Sequence, residues 1–178
     1  MALLQATSVC GDLTVGGCLY GDGSTLSNVN NSSTYTTDLL ANCVTLGQGG
    51  GDVTSNTALG QCALNSNTTG ELNTAVGNSA LTSNTSGGSN TAVGHASMYC
   101  STTACYNTAY GMASLCLLTT GSSNIAIGSS AVRKITTGNY NTGVGVNAMC
   151  ATTTGNNNAA LGTFSLCANT TGCYNVAL

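Results

Sequence analysis

From Asn56 onward, small and apolar positions recur on a fixed 17-residue step without one insertion or deletion. The string Asn-x-small-apolar-Gly begins at Asn56 (NTALG), Asn73 (NTAVG), Asn90 (NTAVG), Asn107 (NTAYG), Asn124 (NIAIG), Asn141 (NTGVG) and Asn158 (NAALG), and starts again at Asn175 (NVAL). Other columns keep the same phase. Three residues after each Gly stands Ala63, Ala80, Ser97, Ser114, Ala131, Ala148 or Ser165, followed by Leu64, Leu81, Met98, Leu115, Val132, Met149 or Leu166. A turn column then reads Gly70, Gly87, Ala104, Gly121, Gly138, Gly155 and Gly172, commonly after Thr-Thr. Phased repetition of this kind is what a stacked coil needs, because each coil must place like residues over like residues. The alternation within each short string predicts a strand, and the stack predicts an all-β fold: a parallel β-solenoid (β-roll or β-helix) of 17-residue coils.

Alternation also predicts faces. The second and fourth positions of the string share one side, and Ile125 and Val176 at the second position mark that side as interior. The third position (Ala58, Ala75, Ala92, Ala109, Ala126, Gly143, Ala160, Ala177) then points outward, and it is never larger than Ala. So small an outer face predicts close packing against a sister chain. The glycines that follow (Gly60, Gly77, Gly94, Gly111, Gly128, Gly145, Gly162) suit tight turns with positive φ. The Asn column (Asn56, Asn73, Asn90, Asn107, Asn124, Asn141, Asn158, Asn175) reads either as a ladder of stacked amides or as solvated turn residues.

Seventeen residues at about 3.3 Å each give a coil perimeter of roughly 56 Å, so the interior is thin and needs caps or partner chains to cover it. The chain divides into an N-terminal β module or attachment segment (1–27), a connector with an atypical first coil at NCVTLG (28–55), and the solenoid proper (56–178). The last string lacks its Gly, which leads us to expect further chain beyond Leu178.

Composition narrows the function classes. Charged residues make up 4% and aromatics 4%, with 24 Gly and no Pro or Trp, against about 25% charged in average domains. The seven charged residues sum to −3, which argues against a nucleic-acid partner, since phosphate binding needs many Lys or Arg. The one basic pair, Arg133-Lys134, reads as a solvated corner. No apolar run is long enough to span a membrane, and the first residues lack the positive n-region and apolar h-region of a secretory signal.

The phased strings, NCVTLG above all, look like the head repeats of trimeric autotransporter adhesins, which carry a similar Asn-Ser-Val-Ala-Ile-Gly string in a parallel β-roll. The longer 17-residue form, as in NTAVGNSALTSNTSGGSNTAVG, also resembles repeats of bacteriophage tail-fibre and virion fibre proteins, and the leading GDLTVGGCLYGDGSTL is similar to short modules near the start of phage fibre proteins. The resemblance covers residues 42–178. It implies a trimeric shaft on a virion, joined to tail or capsid proteins by its N-terminal segment and presenting a distal tip to a host surface receptor. The alternative it implies is an adhesin head on a bacterial cell surface, binding host or sugar ligands.

Catalytic, metal and cofactor roles find little footing, and we expect no enzyme. His95 is the one histidine, and the acids Asp12, Asp22, Asp38, Asp52 and Glu71 do not recur with the repeat, so no carboxylate array is built coil upon coil. GDGS at Gly21 reads as a turn. The sequons at Asn67, Asn84 and Asn169 read as by-products of an Asn/Thr-rich repeat. The 10 cysteines are read as small buried hydrophobes. Cys150 and Cys167, one coil apart in one column, are nonetheless close enough for a disulfide, at about 4.8 Å between Cα atoms. Ice binding through Thr rows is disfavoured, because Thr-Thr neighbours face opposite ways.

Overall fold

The computed structural model describes residues 39–41 and 44–178, with side chains from Leu46 onward. The segment 1–27 and residues 28–38, 42 and 43 of the connector lie outside the described residues. Ten strands follow: β1 (Leu39–Ala41), β2 (Val44–Gly47), β3 (Thr57–Gln61), β4 (Thr74–Val76), β5 (Thr91–Val93), β6 (Thr108–Tyr110), β7 (Ile125–Ile127), β8 (Thr142–Val144), β9 (Ala159–Leu161) and β10 (Val176–Ala177). They form one sheet in chain order. From β3 to β10 all pairs are parallel, and each residue lies opposite its counterpart one repeat on: Thr57 opposite Thr74, Ala75 opposite Ala92, Ala126 opposite Gly143. The fold is a parallel β-solenoid whose coil is the 17-residue repeat, with no α-helix among the described residues.

Most strands are only three residues long, so the coil is tighter than a fully extended 17-residue perimeter. The rest turns, yet it is hydrogen-bonded coil to coil as thoroughly as the sheet. Leu64 N–H donates to the Ala80 carbonyl at 3.0 Å and Thr68 N–H to the Thr85 carbonyl at 2.9 Å, while Gly77 N–H donates back to Leu59 at 2.7 Å. Backbone groups in so thin a rod must find such partners. The turn glycines fit the expectation of positive φ: at Gly94 φ is 131°, and an added Cβ would lie 2.6 Å from the Gly111 carbonyl oxygen.

The faces are the reverse of those expected. Ala58, Ala75, Ala92, Ala109, Ala126 and Ala160 are at most 2% exposed within the single chain, and Gly143 is buried with them. Only Ala177, on the terminal strand, is half-buried. The small-residue column therefore points into the coil and cannot pack a sister subunit. It is small because the interior is narrow and is shared with the column of Leu64, Leu81, Met98, Leu115, Val132 and Met149, all fully buried. Gly143 shows the fit: a Cβ there would meet Val132 Cγ2 at 2.5 Å, so the branched Val takes the volume that Ala fills elsewhere. Ile125 and Val176, read as interior markers, face out at 40% and 78% exposure.

The Leu/Met column has a second peculiarity. Leu64, Leu81, Met98, Leu115, Val132, Met149 and Leu166 all adopt φ between 47° and 52°. A left-handed residue with a side chain costs about 1–2 kcal/mol, whereas complete burial of a Leu or Met side chain contributes about 1.5–3 kcal/mol. Burial wins, and the turn aims the largest side chain of each coil inward.

The coil expected at NCVTLG is not a coil. β2 pairs antiparallel with both β1 and β3, Val44 opposite Gln61 and Leu46 opposite Leu59. A reversed hairpin lies where another parallel coil would stand and covers the open edge of β3, the edge on which another chain would otherwise template. Gly49 to Gly51 then fold over the first coil, with Gly50 N–H donating to the Leu64 carbonyl at 2.9 Å.

The inward column makes a direct prediction. Ala109→Leu should destabilise the chain by about 1–3 kcal/mol in urea unfolding, as overpacking does. Thr108→Leu, on the outer face, should change stability by under about 0.5 kcal/mol. Equal costs at the two neighbours would refute the face assignment.

Candidate functional site

No three His, Cys, Asp or Glu side chains converge among the described residues. His95, Asp52, Glu71, Arg133 and Lys134 are all exposed and scattered. The organised chemistry of the rod lies instead in its columns.

The first is the Asn column, which is buried: Asn73, Asn90, Asn107, Asn124, Asn141 and Asn158 are at most 1% exposed. Each carboxamide acts in two directions. Asn124 Nδ2 donates at 2.8 Å to the carbonyl of Gly138, which lies in the turn ending its own coil, and at 3.1 Å to Oδ1 of Asn107 in the coil before. Its own Oδ1 accepts from Asn141 N–H at 3.0 Å and Asn141 Nδ2 at 3.1 Å. The same set recurs at Asn90, Asn107, Asn141 and Asn158. One side chain thus closes a coil and also locks it to its neighbours. Asp would lack the donor, and Gln would carry the amide too far.

A second column passed unnoticed in the sequence: Asn67, Asn84, Ser101, Leu118, Ile135, Thr152 and Asn169. All but Asn169 are buried. Asn84 Nδ2 donates to Asn67 Oδ1 at 2.9 Å and to the Gly87 carbonyl at 3.0 Å. The signal was available, for the sequons at Asn67, Asn84 and Asn169 share the repeat phase. As inward ladder members, Asn67 and Asn84 are closed to glycosylation in the folded rod. Where the column turns apolar, Leu118 and Ile135 fill the same space.

Hydroxyls follow the same scheme. Thr68, Thr85, Thr102, Thr119, Thr136 and Thr153 each donate through Oγ1 to the carbonyl one repeat on, at 2.8–3.3 Å. The adjacent Thr69, Thr103, Thr120, Thr137 and Thr154 are exposed.

Cys62, Cys100, Cys105, Cys116, Cys150, Cys167 and Cys173 are free thiols. The expected Cys150–Cys167 disulfide is not formed: Cys150 Sγ points at the Cys167 carbonyl, 4.0 Å away. In a parallel stack the side chains of one column run side by side, so the sulfur meets the neighbour's backbone instead of its partner. Burial pushes the Cys116 thiol above its usual value, the nearby Cys100 adds to the effect, and Arg133 opposes it.

Two outer columns complete the site. On the sheet face the fourth string position presents Leu59, Val76, Val93, Tyr110, Ile127, Val144 and Leu161, half-buried to exposed, with Ile125 beside it. At the corner before the Asn ladder stand Leu72, Ser89, Tyr106, Ser123, Tyr140, Asn157 and Tyr174, of which the large side chains are mostly exposed. Compared with protein-family models, curated proteins and solved structures, the chain matches none of them.

Two predictions follow from the inner columns. Asn124→Ala should cost about 3 kcal/mol in denaturant unfolding, because it strands the Gly138 carbonyl and the Asn141 N–H in a dry interior; a cost below about 1 kcal/mol would show the ladder to be incidental. For the thiols the raised Cys116 value means less thiolate at a given pH. Iodoacetamide mass-mapping between pH 7 and 9 should therefore label Cys116 later than the exposed Cys62 and Cys173. By linkage, the raised value has no effect on stability below the unfolded thiol value, and stability falls as pH climbs from that value through the folded one.

Proposed function

We propose that the chain is the shaft of a homotrimeric virion fibre of the tail-fibre kind. Its N-terminal segment would attach to other tail or capsid proteins, and the rod would hold a host-recognition tip away from the particle. A solenoid suits a spacer. Each coil repeats the same hydrogen bonds to the next, so length is set by the number of repeats and stiffness by continuous backbone pairing.

One observation carries the association of chains: the apolar column on the outer sheet face. Leu59 at 42% exposure, Tyr110 at 59%, Ile127 at 41% and Leu161 at 54% lie in one line, with Val76, Val93 and Val144 between them. A continuous line of water-facing apolar side chains along a rod marks an interaction surface, and another copy of the chain is the occupant we favour. Sister copies of a straight rod offer the same column at the same pitch, so that columns can meet along their whole length. The number three comes from the resemblance to fibre repeats.

Size-exclusion chromatography with light scattering should give a trimer. Ile127→Asp with Val144→Asp should yield monomers that keep the β circular-dichroism signal, since both side chains point away from the coil. A wild-type chain that stays monomeric at micromolar concentration would overturn the trimer. Immunogold electron microscopy of the source material separates the fibre from a cell-surface adhesin: the label falls on particles in the first case and on cell envelopes in the second.

A further inference from the structure

Three of the chain's seven tyrosines, Tyr106, Tyr140 and Tyr174, stand in one column, each two 17-residue repeats from the next. They are 69%, 65% and 80% exposed. Their φ angles are 61°, 57° and 59°, in the left-handed region where a bulky side chain is unfavourable. The same column elsewhere holds Leu72, itself exposed with φ of 57°, and Ser89, Ser123 and Asn157, and Asn is among the residues that tolerate this backbone best. In the Leu/Met column the left-handed cost is offset by complete burial. These tyrosines bury little, so the coil itself gives no reason for a ring at every second position.

The surroundings are polar and neutral. Ser123 and Asn157 lie between the rings, and the preceding column supplies Cys105, Ser122, Asn139, Asn156 and Cys173. Asn139 and Asn156 are held in place, their Oδ1 atoms accepting from Ser122 N–H at 2.7 Å and Asn139 N–H at 2.8 Å. Beyond Glu71 neither column contains a charged residue.

From this geometry we propose that Tyr106, Tyr140 and Tyr174 form a platform for an extended, uncharged polysaccharide with equatorial β-linkages, lying along the rod axis. Two coils span about 9.6 Å, which matches one disaccharide of such a polymer, so every second sugar sits on a ring. Each phenol ring covers the apolar C–H face of a sugar and its hydroxyl stays wet, the amphipathic use that suits tyrosine. Ser123 and Asn157 fall beneath the intervening sugars, within reach of their hydroxyls. A sister chain fits this corner poorly, because polar gaps break the row, whereas the aliphatic column is continuous. A nucleic acid would meet no cations here. The platform adds a binding activity to the shaft wall and holds whatever particle carries the rod.

The test is calorimetric titration of the full chain with cellohexaose and chitohexaose, with α-linked, curling maltohexaose as control. The β-linked hexamers should bind and maltohexaose should not. Tyr140→Ser should weaken binding about tenfold, the order of one lost stacking contact. Its melting temperature should be no lower than that of the parent, because Ser already occupies this column at Ser89 and Ser123. Failure of both β-linked hexamers to bind, equal binding of maltohexaose, or undiminished binding by Tyr140→Ser would each overturn the platform. Light scattering on Tyr140→Ser adds an independent check: loss of the trimer would assign the row to a subunit contact and also refute the proposal.

Discussion

The buried carboxamide of the Asn column is the interaction on which the rest of the rod depends. A coil of mostly turn residues has little intrinsic reason to close, and a stack of coils has little reason to keep register. Each Asn addresses both problems: Nδ2 binds the carbonyl at the end of its own coil, and Oδ1 receives two donors from the next. Because these groups are dry, a slip of one residue would leave several polar atoms unpaired at once, at about 1–3 kcal/mol each. Register is thereby enforced by polar contacts inside the coil, in a chain with 4% aromatic and 4% charged residues.

With register fixed, the interior can be assembled from small pieces fitted in pairs. Gly143 accompanies Val132, whose methyl takes the place of an alanine Cβ. Ala104 is the one turn-column residue with a side chain, and its coil has Ser101 where the coil before has Asn84; at Gly87 a Cβ would lie 2.5 Å from Asn84 Oδ1. These exchanges conserve volume within a coil while changing the residues, which is how close-packed interiors tolerate variation.

The period, the fold class and the positions of the turn glycines were legible in the sequence, because stacking requires like residues over like and the repeat shows no slippage. The faces were not. Ile125 and Val176 suggested an interior, and the inference assumed that the larger apolar side chain points inward. In so narrow a coil the rule inverts at the strand: Ala is what fits inside, and the larger aliphatics are left on the outer face. The left-handed turns at Leu115 and its counterparts were also hidden, since no Gly or Asn marks them and only burial holds them there. Antiparallel pairing at Val44–Gly47 was masked by the likeness of NCVTLG to a true coil string, which encodes a strand without encoding its direction. The second ladder, at Asn67 and Asn84, was in view as sequons, which read only as by-products of an Asn/Thr-rich repeat.

Where structure alone sets a column, its occupants vary within tight limits of size and donor chemistry, as in the Asn, Ala and turn-glycine columns. Outer columns are released from those limits, and in a solvated rod they should drift toward Thr, Ser, Asn and Gly. Two do not. The sheet-face column is aliphatic at every coil but that of Tyr110, and the corner column spends a strained backbone on exposed rings at alternate coils. Neither departure is explained by packing within the lone coil, and the two proposals offer an explanation outside it. Their different textures, one continuous and apolar and the other periodic and amphipathic, are why the occupants we propose differ: a matching rod along the first and a polymer with its own repeat along the second.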